Sequence, residues 1–199
     1  MGRPSQKWLN KTLIESARAG DEGMVRQVLA TGADIQARDG NNYTALGQAV
    51  QQMRFGVVSL LLDAGADHRK GQDLLNWESF PVEIALYMAT GNRSEYDARM
   101  MLRHLWQHGV SMVQSNGSGF DSGYAVHFAA STNRPEMLQE LLEYGASEGD
   151  FKGKPLATLA LDVAIQLGHA RCAEIMRAWQ ARAVLGVSLD VAMVARGRP

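Results

Sequence analysis

The residues whose type and spacing best suit chemistry are His104 and His108. Positions four apart share one face of a helix, so two imidazoles at this spacing could chelate a divalent ion. No third ligand stands near them in the sequence, and two histidines without a carboxylate or thiolate make an incomplete site. His108 also directly precedes Gly109, where a helix would end and a cation would meet the negative end of the helix dipole. The structural role is therefore weighed above the chemical one, and no metal, cofactor or catalytic residue is expected. A metal-dependent or small-molecule-binding activity centred on His104 and His108 is kept as the alternative function.

The remaining candidates are weaker. Gly117-Ser118-Gly119-Phe120-Asp121-Ser122-Gly123 has the small residues of a phosphate-cradling loop but lacks its lysine and strand-to-helix setting, so it reads as a flexible loop. The one cysteine, Cys172, lies among Ala170, Ala173 and Ile175, which suits a buried and inert thiol. His68-Arg69-Lys70 could meet an acidic partner, although three charges are ordinarily a solvated loop.

Composition narrows the functional classes. Twenty basic and 21 acidic residues leave a formal net charge of -1, so there is no overall field to draw in nucleic acid or an anionic membrane. A single cysteine cannot form an internal disulfide, which makes the reducing cytoplasm the expected compartment. Lys11, Glu15 and Arg18 interrupt the N-terminal region, so no signal peptide is expected there. The apolar stretch Val57 to Leu62, broken by Ser59, is far shorter than the roughly 20 residues that span a bilayer.

The elements that would position these residues recur at a fixed period. Thr31-Gly32-Ala33-Asp34 returns as Ala64-Gly65-Ala66-Asp67, 33 residues later, with weaker copies at Gly109-Val110-Ser111 and Gly145-Ala146-Ser147. Each glycine follows a run with helical apolar spacing, such as Met137, Leu138, Leu141 and Leu142, and is expected to stop its helix in a left-handed conformation. Twelve residues before Gly32 stands Gly20, and the same interval puts Met53, Asn133 and Gly168 at turns between paired helices. Small residues recur four places before each turn, at Ser16, Ala49, Ala85, Ala129 and Ala164, where they would let neighbouring pairs stack closely.

Together with Thr44-Ala45-Leu46-Gly47-Gln48-Ala49, Tyr124-Ala125-Val126-His127-Phe128-Ala129-Ala130 and Leu161-Asp162-Val163-Ala164, these motifs resemble the ankyrin repeat over roughly Lys11 to Trp179. The resemblance implies an all-α ankyrin-repeat solenoid of about five helix-turn-helix units, with a protruding hairpin loop after each Gly-Ala-Asp and a concave helical face. The units are placed at approximately 8–37, 38–70, 71–113, 114–150 and 151–183, forming one repeat domain over 1–183, with a C-terminal tail or short capping helix at 184–199. In this frame His127 takes the position where the family's histidine ties loop backbone together, His169 takes the family's Gly-His position at the interhelix turn, and Asp162 replaces the former histidine in a local hydrogen-bonding role.

The chain departs from the pattern in its third unit. Gly65 and Gly109 are 44 residues apart, and the surplus falls partly in the preceding finger and mainly around Thr90 to Tyr96. A second expansion covers Gln114 to Gly119. Both read equally well as partner-specific loops or as tolerated drift. Thr44 can cap its helix whereas Phe80, Tyr124 and Leu159 at the equivalent places cannot, and Pro81 suits a first helical turn.

Carried over from the resemblance, the partner-binding positions are Asn41 and Tyr43, Trp77 and Ser79, and Phe120 and Asp121 in the fingers. Those on the first helices are Gln51 and Gln52, Tyr87 and Met88, and Ser131 and Thr132. Tyr43, Trp77 and Tyr87 would contribute most, because aromatic residues are enriched among interface hot spots; Trp77 could instead fold inward. Trp106 is expected in the core and Trp8 over the open end of the first unit. The apolar tail, with Leu189, Val191 and Met193, could cap the last unit, dock on a partner or support self-association. The expected function is non-enzymatic binding of a protein partner of unknown identity, as an adaptor or a stoichiometric inhibitor. An immunity or counter-defence role is a narrower version that no residue selects.

Overall fold

Ser5, Asp21, Thr44 and Ser94 each accept a hydrogen bond from a backbone N–H in the first turn of the helix that follows, which starts four helices at defined residues. The computed structural model describes residues 4–68, 81–88, 94–113 and 125–184, with every side chain in them except those of Glu83, Tyr87 and Val184. Helices α1 (Gln6–Ala19), α2 (Glu22–Thr31), α3 (Ala45–Gln51), α4 (Phe55–Asp63), α5 (Pro81–Met88) and α6 (Glu95–Gln107) come first. After them come α7 (Ala125–Ser131), α8 (Pro135–Glu143), a two-stranded hairpin of β1 (Asp150–Phe151) and β2 (Lys154–Pro155), α9 (Leu156–Gln166) and α10 (Ala170–Val184). The described chain is thus mostly helical, with almost no strand.

The residues expected to reverse the chain do so in left-handed backbone. The turn between paired helices has φ of 89° at Gly20, 57° at Met53, 55° at Asn133 and 74° at Gly168. At each turn the next residue donates its N–H back to the small residue four places before the turn: Asp21 to Ser16, Arg54 to Ala49, Arg134 to Ala129 and His169 to Ala164, at 2.8–3.0 Å. These bonds satisfy carbonyls that the helix end would otherwise leave open. The second helices end at Gly32, Gly65, Gly109 and Gly145, all at positive φ, and Ala33, Ala66 and Ala146 donate back to Val28, Leu61 and Leu141.

The chain divides into two compact units, Met1–His108 and Gly109–Pro199. In the first, α1, α3 and α5 pack in series, α2, α4 and α6 form a second row, and each helix of one row pairs with its sequence neighbour in the other. In the second, α7 packs on α9 and α8 on α10, with the same pairing of neighbours. The small residues allow this approach: Ala49, Ala85, Ala129 and Ala164 are fully buried and Ser16 nearly so. Around them lie Leu13, Leu46, Val58, Leu61, Met101, Leu102 and Leu105 in the first unit, and Val126, Met137, Leu138, Leu141, Leu156 and Met176 in the second. Burial of such side chains, at roughly 1.5–3 kcal/mol each, is the main stabilising term.

Two hairpin-like connections are described between helix pairs. Arg38 and Thr44 form an antiparallel bridge, and Asp150 and Phe151 pair with Pro155 and Lys154. The other two expected fingers, with the expansion at Gln114 to Gly119, lie outside the described residues, as does most of Thr90 to Tyr96.

Several local expectations need correction. Glu95 and Tyr96 belong to the first turn of α6, which Ser94 caps, so part of the third-unit surplus lengthens a helix to 13 residues and does not enlarge a loop. In the last pair, α9 already starts at Leu156, after Pro155, so Leu159 lies inside a helix and is not at its capping position. Trp106 is half-buried and not a core residue, while Trp8 on α1 is 51% exposed. Pro81 does open α5.

Candidate functional site

Asp39 organises the loop that carries Asn41 and Tyr43. Its Oδ1 accepts from the backbone N–H groups of Asn41 at 2.9 Å and Tyr43 at 3.0 Å, and its Oδ2 accepts from Gln48 Nε2 at 2.8 Å. The Asp39 N–H donates in turn to the Tyr43 carbonyl, and Asn42 makes the reversal at φ 68°. Gln48 is buried on α3, so the loop is tied to the helix rather than left to solvent. Tyr43 is half-buried, with Cδ1 only 3.3 Å from where a β-carbon on Gly47 would stand. Asn41 is exposed, and Gln51 and Gln52 are half-exposed at the far end of α3.

The other expected contact positions are less uniform. Met88, the last residue of α5, is only 8% exposed and lies with the core side chains. Ser131 and Thr132 both turn their hydroxyls back onto the Phe128 carbonyl, at 3.0 and 2.7 Å. Thr132 is exposed and Ser131 half-buried. Tyr87 lies on α5, its side chain outside the described set, and Trp77, Ser79, Phe120 and Asp121 fall outside the described residues altogether.

The two histidines are brought together as their spacing implies, with ring centroids 4.8 Å apart. They converge on a third residue, Ser59 of α4: its Oγ is 2.9 Å from His104 Nε2 and 3.0 Å from His108 Nε2. His104 Nε2 also lies 3.1 Å from the Phe55 carbonyl, and the Phe55 ring meets the His104 ring edge-on. On the far side of the other imidazole, His108 Nδ1 faces Asp63 Oδ1 at 3.7 Å. A carbonyl can only accept, so His104 carries its proton on Nε2; the Ser59 hydroxyl then donates to His108 Nε2, leaving the His108 Nδ1–H toward Asp63. Burial, and secondarily the His108 ring, hold the His104 pKa below the ordinary histidine value, against the opposing pull of the Phe55 carbonyl.

The order Asp63, His108, Ser59 follows the polarity of a nucleophilic triad. The contacts favour bridging over attack, because Ser59 Oγ is flanked by both rings and Asp63 stands beyond hydrogen-bond distance of His108. Among the described residues no group of three or more His, Cys, Asp or Glu is arranged to hold a metal ion.

His169 Nδ1 donates to the Ala130 carbonyl at 2.8 Å, joining the turn before α10 to α7. Asp162 accepts from Lys154 Nζ at 2.6 Å, which fastens α9 to the hairpin in front of it. Cys172 is fully buried as a free thiol, and His127 is half-buried on α7. Sequence reasoning did not single out Asp39, Gln48 or Asp63 and treated Ser59 only as a break in an apolar run. That break was the available signal, since a lone hydroxyl among Val57, Val58, Leu60, Leu61 and Leu62 needs a polar partner if it is covered.

Among the described residues no helix is long and apolar enough to cross a membrane. No protein-family model matches the chain. It is similar to two proteins named mitochondrial disaggregase. The Bos taurus protein is 28% identical over 144 residues, covering 72% of this chain and 19% of the relative. The Homo sapiens protein is 40% identical over 164 residues, covering 72% of this chain and 23% of the relative. The chain therefore spans about a fifth of the length of the curated relatives it matches.

Proposed function

We propose that this chain is an ankyrin-repeat protein that binds a protein partner through its finger loops and first helices, acting as an adaptor or a stoichiometric inhibitor without chemistry of its own. The observation behind this reading is the Asp39 clamp, which holds Asn41 and Tyr43 in one loop conformation tied to α3 through Gln48. A loop ordered before binding loses less conformational entropy when it meets a partner. Paired helices joined by left-handed turns, with helix-ending glycines at Gly32 and Gly65, support the repeat assignment. A free, buried thiol fits the reducing cytoplasm.

The test is affinity capture from the native host with wild-type protein, the double variant Tyr43→Ala/Gln51→Ala, and Arg26→Ala on α2 as a control. Melting curves establish that all three are folded. Partners retained by wild type and control should be lost from the double variant, with affinity for the recovered partner weakened at least about tenfold. Equal retention by all three overturns the proposed face.

A further inference from the structure

Ile165 is exposed where its counterparts are covered. It directly follows the small residue Ala164, as Ala17, Val50 and Ala130 follow Ser16, Ala49 and Ala129. Those three are fully buried, where α3 packs on α1, α5 on α3 and α9 on α7. Ile165 is 51% exposed, and Leu161, one turn earlier, is half-buried although its counterparts Leu13, Leu46 and Val126 are at most 2% exposed. The main partners of α9 are α7 and α10, so this side of it presents an apolar residue without the helix that covers its counterparts. An isoleucine left in water forgoes the burial that stabilises the equivalent positions.

The chain carries a second copy of the motif that covers such a position. Ala160-Leu161-Asp162-Val163-Ala164-Ile165 of α9 returns 28 residues later as Ser188-Leu189-Asp190-Val191-Ala192-Met193, in the segment 185–199 outside the described residues. Four successive residues are identical, and the flanking two keep their class, one small and one apolar. In α9 the small residues Ala160 and Ala164 are fully buried, which lets α9 approach α7 closely. Ser188 and Ala192 keep the same interval of four, so on a helix they share one face. We propose that 188–195 docks on α9 as a further helix, with Ser188 and Ala192 against Leu161 and Ile165, and so closes the array from within the chain. Leu185, Gly186 and Val187 connect it to α10, a length that suffices to join antiparallel helices, and Gly186 suits the end of the preceding helix. So short a tether keeps the segment at a high effective concentration beside its site, which favours it over a second copy of the chain.

The proposal is tested by amide hydrogen exchange on tag-free, full-length protein. A helix this short is marginal by itself in water, so protection of its amides reports docking. In wild type the amides of residues 190–195 should exchange at least about tenfold more slowly than in an unstructured peptide of the same sequence. Ile165→Asp removes the apolar contact and Ala192→Glu puts a long charged side chain where a small one must fit. Each should return those amides to within about twofold of the unstructured rate, while α7 and α8 keep wild-type protection, which shows that the variants are folded. Unprotected amides in wild type, or protection unchanged in either variant, overturns the proposal. Protection that falls on dilution also overturns it, because the cover would then come from a second copy of the chain. None of these readouts involves Tyr43 or a captured protein, so they stand or fall separately from the binding function proposed above.

Discussion

The second-row helices of the two units pack through different chemistry. Where α4 meets α6, a serine and two histidines form a polar cluster at the margin of a layer built from Val57, Val58, Leu61, Met101 and Leu105. Where α8 meets α10, the buried set is Met137, Leu138, Leu141, Cys172, Ala173 and Met176, and the polar approach of Cys172 to Asn133 is long, at 3.9 Å. The same helix-pair plan therefore tolerates either filling. An apolar seam contributes packing alone, whereas the polar one adds groups that titrate and donate electron pairs, at the cost of satisfying each of them.

The largest effects should be common to both units. Leu61→Ala in α4 and Leu141→Ala in α8 each remove a fully buried side chain, so each should cost about 2–5 kcal/mol in urea denaturation followed by circular dichroism. A cost confined to one of them would break the comparison, showing that only one of the seams is closely packed.

Smaller effects should come from the left-handed turns. Met53 has φ 57° and Asn133 φ 55°, a region that strains most side chains by roughly 1–2 kcal/mol but that asparagine accepts more readily. Part of any gain on substitution by glycine is offset in the unfolded chain. Met53→Gly should therefore stabilise the protein by about 1 kcal/mol at most, and Asn133→Gly by less, as read from melting and urea midpoints. An equal gain at both would show that asparagine has no advantage in this turn.

The pH response should separate the two seams. Burial and the neighbouring His108 hold the His104 pKa below its ordinary value, so the unfolded chain binds this proton more tightly than the folded one. The stability linked to His104 is present above about pH 6.5 and is lost as the pH falls from there toward the lowered folded value. His108 and Asp63 face the same cluster, and both remain in the variant His104→Gln, which should flatten the response. Urea midpoints collected between about pH 7.5 and 5.5 with a chelator present check this. An unchanged slope in the variant would place the linked proton elsewhere.

Much of the helical plan was legible because it rests on local rules. A left-handed residue ends a helix whatever surrounds it, so the positions of Gly32, Gly65, Gly109 and Gly145, and twelve residues earlier of Gly20 and Met53, could be read as helix ends and turns. Thr44 was legible as a cap for the same reason. Where the period was disturbed, the local signals failed: α6 begins earlier than the surplus around Thr90 to Tyr96 suggested, and α9 begins before Leu159.

The candidate sites divide in the same way. That His104 and His108 share a face follows from helical spacing alone, and the sequence by itself determined that they stand together at the end of α6. It could not determine what they face, since Ser59 and Asp63 precede His104 by 45 and 41 residues and reach the cluster only because α4 packs against α6. Tertiary packing likewise turned Asp39 and Gln48 into a clamp and Met88 into a core residue. Helix ends depend on the conformational preferences of single residues, whereas side-chain partners depend on which helices come within reach, and that is decided by the burial of apolar surface.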